Sequence, residues 1–293
     1  MQIAQLLHED HLDALPRGDD GSLLHARVAT YVLDQEIAYD YNGPIDHVRQ
    51  QLMIVPRPRH GDQWRIAHRL DVAADRAVPQ QVHHRADRFG NAVVHVEAAH
   101  VNESIRFGLR AVVRRDRTTD PVHHWPDPPP AVGQLTEPDA ALREAAAELR
   151  SDDVGELADR ICRFVHDSFT YRYGVTGVRT TAADAWALRV GVCQDFAHVM
   201  IAMCTSLGVP ARYVSGHLVG DGASHAWVEV YDRRRGEVVS VDPTHARRTD
   251  LRYVVTAVGR DYRDVPPTAG TYVSRGGKGR LSVRKRIRLA HVA

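Results

Sequence analysis

The apolar positions change their spacing along the chain. Between residues 27 and 115 they fall in strand-like runs at 28–41, 51–55, 64–72, 80–88, 91–98 and 104–115, and Phe89-Gly90 reads as a hairpin turn between two of these. After residue 138 the spacing becomes helical. The stretch 139–149 is rich in Ala and Glu, and Ser151-Asp152-Asp153 offers an N-cap. Val154, Leu157, Ala158, Ile161, Cys162, Val165 and Phe169 then recur on one helical face. Thr180-Thr181 caps a short helix over 182–189. Next, Val199, Met200, Ile201, Met203, Cys204 and Leu207 make a helix apolar nearly all round, the pattern of a core helix. Gly208 and Pro210 end it, because Gly suits the left-handed turn after a helix and Pro cannot continue one. The chain then returns to strands at 211–219, 225–231 and 238–241. Further strands at 253–258 and 279–289 are expected to close an antiparallel sheet behind the core helix.

This pattern predicts an α+β protein. Residues 27–116 form an N-terminal all-β, sandwich-like domain, and 139–293 form a second domain in which the cysteine-bearing helix packs on an antiparallel sheet. Between them, 117–138 holds Pro121, Pro126, Pro128, Pro129, Pro130 and Pro138, which no helix or central strand tolerates, so it reads as a linker. Residues 1–26 read as an extension with a short helix and a loose Asp-Gly segment. A chain of 293 residues is long enough for two domains with a sizeable core.

The candidate chemistry gathers at the core helix. Cys193 opens it, in the positive end of the helix dipole, a position that favours the attacking thiolate. His225 heads one alternating run and Asp242 ends the next, with the polar turn Asp232-Arg233-Arg234-Arg235-Gly236 between them. Two strands joined by such a turn are antiparallel neighbours, which brings His225 and Asp242 side by side. Thiol, base and orienting carboxylate together make an activated nucleophile.

These residues carry a resemblance. Gly-Val-Cys-Gln-Asp-Phe-Ala-His, Gly-Val-Pro-Ala-Arg-Tyr-Val-Ser-Gly, Ser-His-Ala-Trp-Val-Glu-Val-Tyr and Val-Asp-Pro-Thr, in that order, look like the transglutaminase-like superfamily. The closer likeness is to bacterial members with an extra β-rich domain ahead of a papain-like core, and it spans roughly 27–285. The resemblance implies Cys193 as nucleophile, His225 as base and Asp242 as its orienter. This chain departs from the pattern at His245, where the family usually has Asn. It departs again at Glu237-Val238-Val239, where a Trp is usual.

Other residues keep two readings. Tyr171 or Tyr173 is a candidate second donor to an oxyanion, beside the Cys193 backbone N–H; a ring packed at the helix end explains either equally well. Gln194, Ser224 and Trp227 are candidate walls of a substrate pocket. Asp195 reads as structural, hydrogen-bonding a neighbouring loop, and His198 as a core histidine. Cys162 and Cys204 read as small core hydrophobes. His83-His84 is weighed as a metal pair and set aside, because adjacent strand residues point to opposite faces. His123-His124 reads as an exposed loop pair. No metal and no cofactor are expected.

Composition narrows the setting. A formal charge of +1 gives no strong pull toward nucleic acid or membrane, and the basic clusters at 233–235 and 284–288 read as solvated turn and edge-strand charge. With no apolar leader or span visible, and with three cysteines in no paired spacing, a soluble, reducing, cytoplasmic setting is expected. The expected activity is thiol-dependent acyl transfer on peptide or protein substrates, by hydrolysis in preference to crosslinking, since no Asp-x-Asp-x-Asp-Gly calcium loop is present. Alternatives are a protein-glutamine crosslinker and, from another class, a non-catalytic binding module. By analogy alone, relatives often sit with peptide-ligase-like proteins.

Overall fold

The computed structural model describes residues 6–7, 15–16, 21, 23, 25–74, 80–126, 131–219, 224–274, 276 and 278–293. Most of the 1–26 expectation and the loop at 220–223 lie outside the described residues. Strands β1 (Val28–Tyr41), β2 (Ile45–Leu52), β3 (Arg59–His60), β4 (Gln63–Ala74), β5 (Gln80–Ala86), β6 (Ala92–Val101) and β7 (Ser104–Asp116) come first. Helices α1 (Ala140–Ala147) and α2 (Val154–Ser168), strand β8 (Thr170–Tyr171), helix α3 (Ala182–Leu188), strand β9 (Val190–Gly191) and helix α4 (Cys193–Ser206) follow. The chain ends with β10 (Ala211–Leu218), β11 (Ser224–Asp232), β12 (Glu237–Asp242), β13 (Arg247–Arg248), β14 (Tyr253–Gly259), β15 (Thr268–Ser274) and β16 (Gly279–Val292).

The N-terminal strands build two antiparallel sheets, ordered β16-β1-β7-β4-β3 and β15-β2-β6-β5, which share one apolar core. Tyr31, Leu33 and Ile37 of β1 meet Val94 and Val96 of β6 and Phe107 and Leu109 of β7 there. The strand expected at 51–55 lies at 45–52 instead. Met53, Ile54 and Val55 are buried, as their apolarity predicts, but they leave the ladder ahead of Pro56 and Pro58, and the Met53 N–H donates to the Pro267 carbonyl.

The third sheet, β13-β12-β11-β10-β14, carries the core helix on one face. Most of α4 is buried, and Gly208 follows it at φ +78°, as the stop signal predicted. Ala226, Val228 and Val230 of β11 point into the core shared with α4. The opposite face, including Trp227, packs on Phe89 of the N-terminal module.

The expectation that 253–258 and 279–289 both close this sheet is half corrected. β14 does so, while β16 pairs along nearly all of β1 and β15 pairs with β2. The expected 139–293 unit therefore gives its last two strands to the N-terminal sandwich. The free edge of β14 is already occupied. The Gln63 side chain donates to the Val255 carbonyl at 2.7 Å and accepts from the Val255 N–H at 2.8 Å. Asn91 does the same at Val258, at 2.8 and 2.9 Å. Both amides are fully buried and stand in for the strand that the edge lacks.

Two further contacts fix the seam. The Tyr31 hydroxyl donates to the Leu251 carbonyl at 2.8 Å. Buried Glu229 of β11 accepts from Arg212 Nε at 2.8 Å and bonds His60 Nε2 at 2.7 Å. The linker is held too: Gly61 and Val122 exchange backbone hydrogen bonds, and Trp125 stacks on Tyr231 with ring centroids 5.0 Å apart. This corrects the reading of His123 as an exposed loop residue, because the Gly61–Val122 bridge draws its ring to 5.3 Å from that of His60.

Replacing Gln63 or Asn91 by Leu leaves a backbone donor and acceptor of β14 buried without partners. Each substitution is expected to lower unfolding free energy by about 1–3 kcal/mol, read from urea denaturation. A change within about 0.5 kcal/mol, the usual range of surface substitutions, would show that the edge does not depend on these amides.

Candidate active site

Each candidate side chain is positioned by a local sequence feature. Cys193 is the first residue of α4, delivered by the short parallel pairing of β8 with β9. Asp195, in the first turn of α4, accepts from the Val192 N–H at 2.8 Å and from Thr176 Oγ1 at 2.7 Å, so it braces both the helix start and the preceding loop. Gln194 Nε2 donates to the Gly177 carbonyl at 3.2 Å and ties down the same loop. Gly191 is required here, because a Cβ at that position would lie 2.5 Å from Asp195 Oδ2. The structural reading of Asp195 matches this geometry; burial pushes its carboxyl upward, against those hydrogen bonds.

His225 lies at the start of β11, opposite Gly216 of β10. A Cβ on Gly216 would come within 2.2 Å of the Val254 carbonyl and 2.5 Å of the Trp227 ring, so glycine lets Trp227 lie flat beneath the histidine. β12 runs antiparallel to β11 from Val228–Val241 onward and ends at Asp242. The structure thus brings His225 and Asp242 together as strand pairing predicted: His225 Nε2 donates to Asp242 Oδ2 at 2.7 Å. Cys193, half-buried and in no disulfide, lies near enough to the His225 ring to favour its positive charge. With Nε2 committed to the carboxylate, Nδ1 is the nitrogen left to face the thiol.

Asp242 is the most constrained group of the site. It is fully buried, and Oδ2 accepts from three donors at 2.7 Å each: His225 Nε2, His245 Nδ1 and the Tyr253 hydroxyl. Oδ1 accepts from the Thr244 N–H at 2.9 Å. Burial alone would raise its pKa, but the hydrogen bonds from His225, His245 and Tyr253 and the charge of His225 hold the carboxyl well below the usual range. Burial likewise opposes a charge on His225, yet Asp242 and Cys193 push its pKa up to about 9. The two shifts agree: the pair is carboxylate and imidazolium.

The remaining candidates fall in different places. Tyr171 ends β8 and Tyr173 follows it, their rings edge to face with centroids 5.3 Å apart and both exposed. Ser224 directly precedes His225 and lines a cavity described below. Trp227, expected in a pocket wall, is 1% exposed on the sheet face that meets Phe89, and it lines a cavity shared with His60, Glu229 and Tyr253. His198 is a fully buried core residue whose Nε2 accepts from the Tyr262 N–H at 3.2 Å. Cys162 and Cys204 are buried, and burial pushes both thiols up to about 12. Sequence reasoning missed Tyr253 as a partner of Asp242. It registered only as a strand position, and nothing in its spacing marks a hydroxyl that reaches the carboxylate.

Two groups of side chains come close enough to share a metal ion: His60, His123 and Glu229, and His225, Asp242 and His245. In the first, Arg212 already forks onto Glu229, and Arg212 and Arg57 both oppose positive charge at His60. In the second, the donor atoms are those already used in hydrogen bonding to Asp242. His83 and His84, exposed on β5, belong to neither.

A core of helices on an antiparallel sheet, with a cysteine opening the central helix and a histidine–carboxylate pair on the strands, defines a papain-like fold. Residues 142–243 match the profile of the transglutaminase-like superfamily, and residues 31–114 match that of the bacterial transglutaminase-like N-terminal region. The chain belongs to the transglutaminase-like superfamily and carries the bacterial N-terminal region. It is 38% identical over 146 residues to an uncharacterized protein of Mycobacterium bovis, covering 44% of this chain and 46% of that protein. It is 30% identical over 122 residues to a protein-glutamine gamma-glutamyltransferase of Pseudomonas aeruginosa, covering 36% of this chain and 18% of that one. The chain thus spans less than half the length of these curated relatives. A crystal structure from Cytophaga hutchinsonii, described as a candidate cysteine protease, shares the fold with a TM-score of 0.65 at 20% identity, over 89% of this chain and 98% of that one. Family and fold support thiol-dependent chemistry in general.

The opposing influences on His225 give a sharp expectation. In the intact protein burial opposes the charge, but Asp242 and Cys193 push the ring's pKa up to about 9. In Asp242→Ala the carboxylate is gone while burial still opposes the charge, so the midpoint should fall clearly below about 9, followed by NMR of the labelled imidazole. A midpoint still near 9 in that variant would show that Asp242 does not set the charge of His225.

Proposed function

We propose that the protein is a cysteine peptidase or amidase, cleaving peptide or amide bonds through a thioester on Cys193. The observation that carries this reading is the hydrogen bond from His225 to the buried carboxylate of Asp242, with the half-buried thiol of Cys193 near enough to favour charge on the ring. Proton transfer from Sγ to His225 gives a thiolate–imidazolium pair, and the thiolate attacks the carbonyl carbon. The oxyanion develops beside the N-terminus of α4, where the Cys193 N–H is a donor without an intrahelical partner. Tyr171 and Tyr173 are the side chains proposed for the second donor. His225 then gives its proton to the leaving amine, and the thioester forms as the C–N bond breaks. Water, deprotonated by His225, releases the acid and returns the thiol. Asp242 stays ionised throughout and holds the imidazole by Nε2. A reducing, cytoplasmic setting fits this reading, because it keeps Cys193 as a thiol.

A second reading, in which an amine takes the place of water, draws on the name of the Pseudomonas relative, which matches 36% of this chain. Incubation with a glutamine peptide and a labelled amine separates the two. Hydrolysis is expected to exceed amine incorporation, and the reverse would move the protein to the transamidases.

The nucleophile itself is tested with iodoacetamide. Cys193 in the intact protein should label rapidly well below pH 8, and His225→Ala should slow it to the rate of an ordinary thiol, whose pKa is near 8.5. Labelling like an ordinary thiol in both proteins would favour a binding module that keeps only the fold. The two activities should also part company in alkali. Because the raised pKa keeps His225 protonated up to about 9, cleavage should fall above that pH as the general acid is lost. Alkylation needs only the thiolate and should not fall.

A further inference from the structure

The apolar stripe on the inward face of the first sheet is broken at two facing positions. On β1 the buried residues Tyr31, Leu33 and Ile37 are interrupted by Gln35, and on β16 Lys285 precedes the buried Ile287 and Leu289 on the same face, with Val283 beyond it exposed. Gln35 and Lys285 are direct cross-strand partners in the antiparallel ladder, so both side chains leave the sheet on the same face. Gln35 is 2% exposed, and its Nε2 has no hydrogen-bond partner among the described residues. Lys285 is partly buried and has no acidic partner among the described residues. Both line a cavity of about 470 Å³ whose other walls include Ser224, Tyr262 and Thr268. Ser224 is the residue before His225, and among the described residues no Asp or Glu lines the cavity.

We propose that this cavity is a subsite for a carboxylate of the substrate, held by the Lys285 ammonium and the Gln35 amide. The inference rests on the acyl-transfer reading and names the substrate class within it: a peptide or amide with a free carboxylate near the scissile bond. The Lys285 ammonium and the unpartnered Gln35 Nε2 stand side by side on the ladder, and the Ser224 and Thr268 hydroxyls lie in the same lining, so one anionic group can accept from several donors at once. Burying these donors without acceptors is unfavourable, and two polar residues at facing positions of an otherwise apolar stripe have no role in packing the sandwich. The subsite also uses both parts of the fold. Gln35 and Lys285 come from the N-terminal sandwich, and Ser224 and Tyr262 from the part of the chain that carries Cys193.

The test uses Cys193 as a reporter of what reaches it from the cavity. The reagents are N-iodoacetyl derivatives of glycine, β-alanine, 4-aminobutyrate and 6-aminohexanoate, each as the free acid and as the primary amide. The quantity read is the acid-to-amide ratio of labelling rates at Cys193, for the intact full chain, Lys285→Met and Gln35→Leu. The acid is expected to be preferred at one chain length, with saturation. Lys285→Met should lower the ratio there by about tenfold and Gln35→Leu by a smaller factor. Lys285→Met should also melt no lower than the intact protein, because it removes an ammonium without a partner. A ratio near one at every chain length, a ratio unchanged in Lys285→Met, or a large fall in its melting temperature would each overturn the subsite. Failure of the acyl-transfer reading shows separately in the amide series, as slow labelling unaffected by His225→Ala.

Discussion

The site depends on a buried negative charge that is never left unsatisfied. Asp242 has no contact with solvent, and one of its oxygens collects His225, His245 and Tyr253 at the same short distance. A carboxylate in that position without donors would take up a proton. With them it stays ionised and so keeps His225 charged against its own burial. The three donors come from β11, the turn after β12 and the start of β14, so the carboxylate ties these three segments together at that end of the sheet. His245, at the place where the resemblance expects Asn, still supplies a nitrogen donor, and the departure leaves the carboxylate coordinated.

The same rule, that a buried polar group must find its partner, governs the seam between the sandwich and the core. β14 presents a bare edge to the N-terminal module, and the module answers with the side-chain amides of Gln63 and Asn91 rather than with a strand. Glu229 is met in the same way by Arg212 and His60, which keep it ionised despite complete burial. These contacts make the module a fixed wall of the core sheet.

Much of this was legible in the sequence, where local pattern and structure coincide. The strand at 28–41, the buried helix after Cys193 with its Gly208 stop, and the pairing of His225 with Asp242 all follow from spacing and turn chemistry. What the sequence hid was long-range pairing. The run at 279–289 was correctly a strand, but its partner is β1, about as far away as the chain allows, and only the occupied edge of β14 explains why it does not join the nearer sheet. Trp227 carries the signature of a strand residue without revealing which face is turned to a pocket. The break in alternation at Gln35 and at Lys285 is visible in each strand alone, but means little until the register sets the two side by side.

That last pairing bears on the order in which the protein is made. The backbone of Ala293 bonds to Arg27 and Val28, so the final residue lies against the first strand of the sandwich. While the chain is being synthesised, β1 and β2 each have one unpaired edge until 268–292 have left the ribosome, by which time the segments bearing Cys193, His225 and Asp242 are already outside. The candidate site can thus assemble before the sheet beside it is closed. In that interval the nascent chain offers two open strand edges to its neighbours, and a nearby copy can fill them as readily as its own segment 268–292.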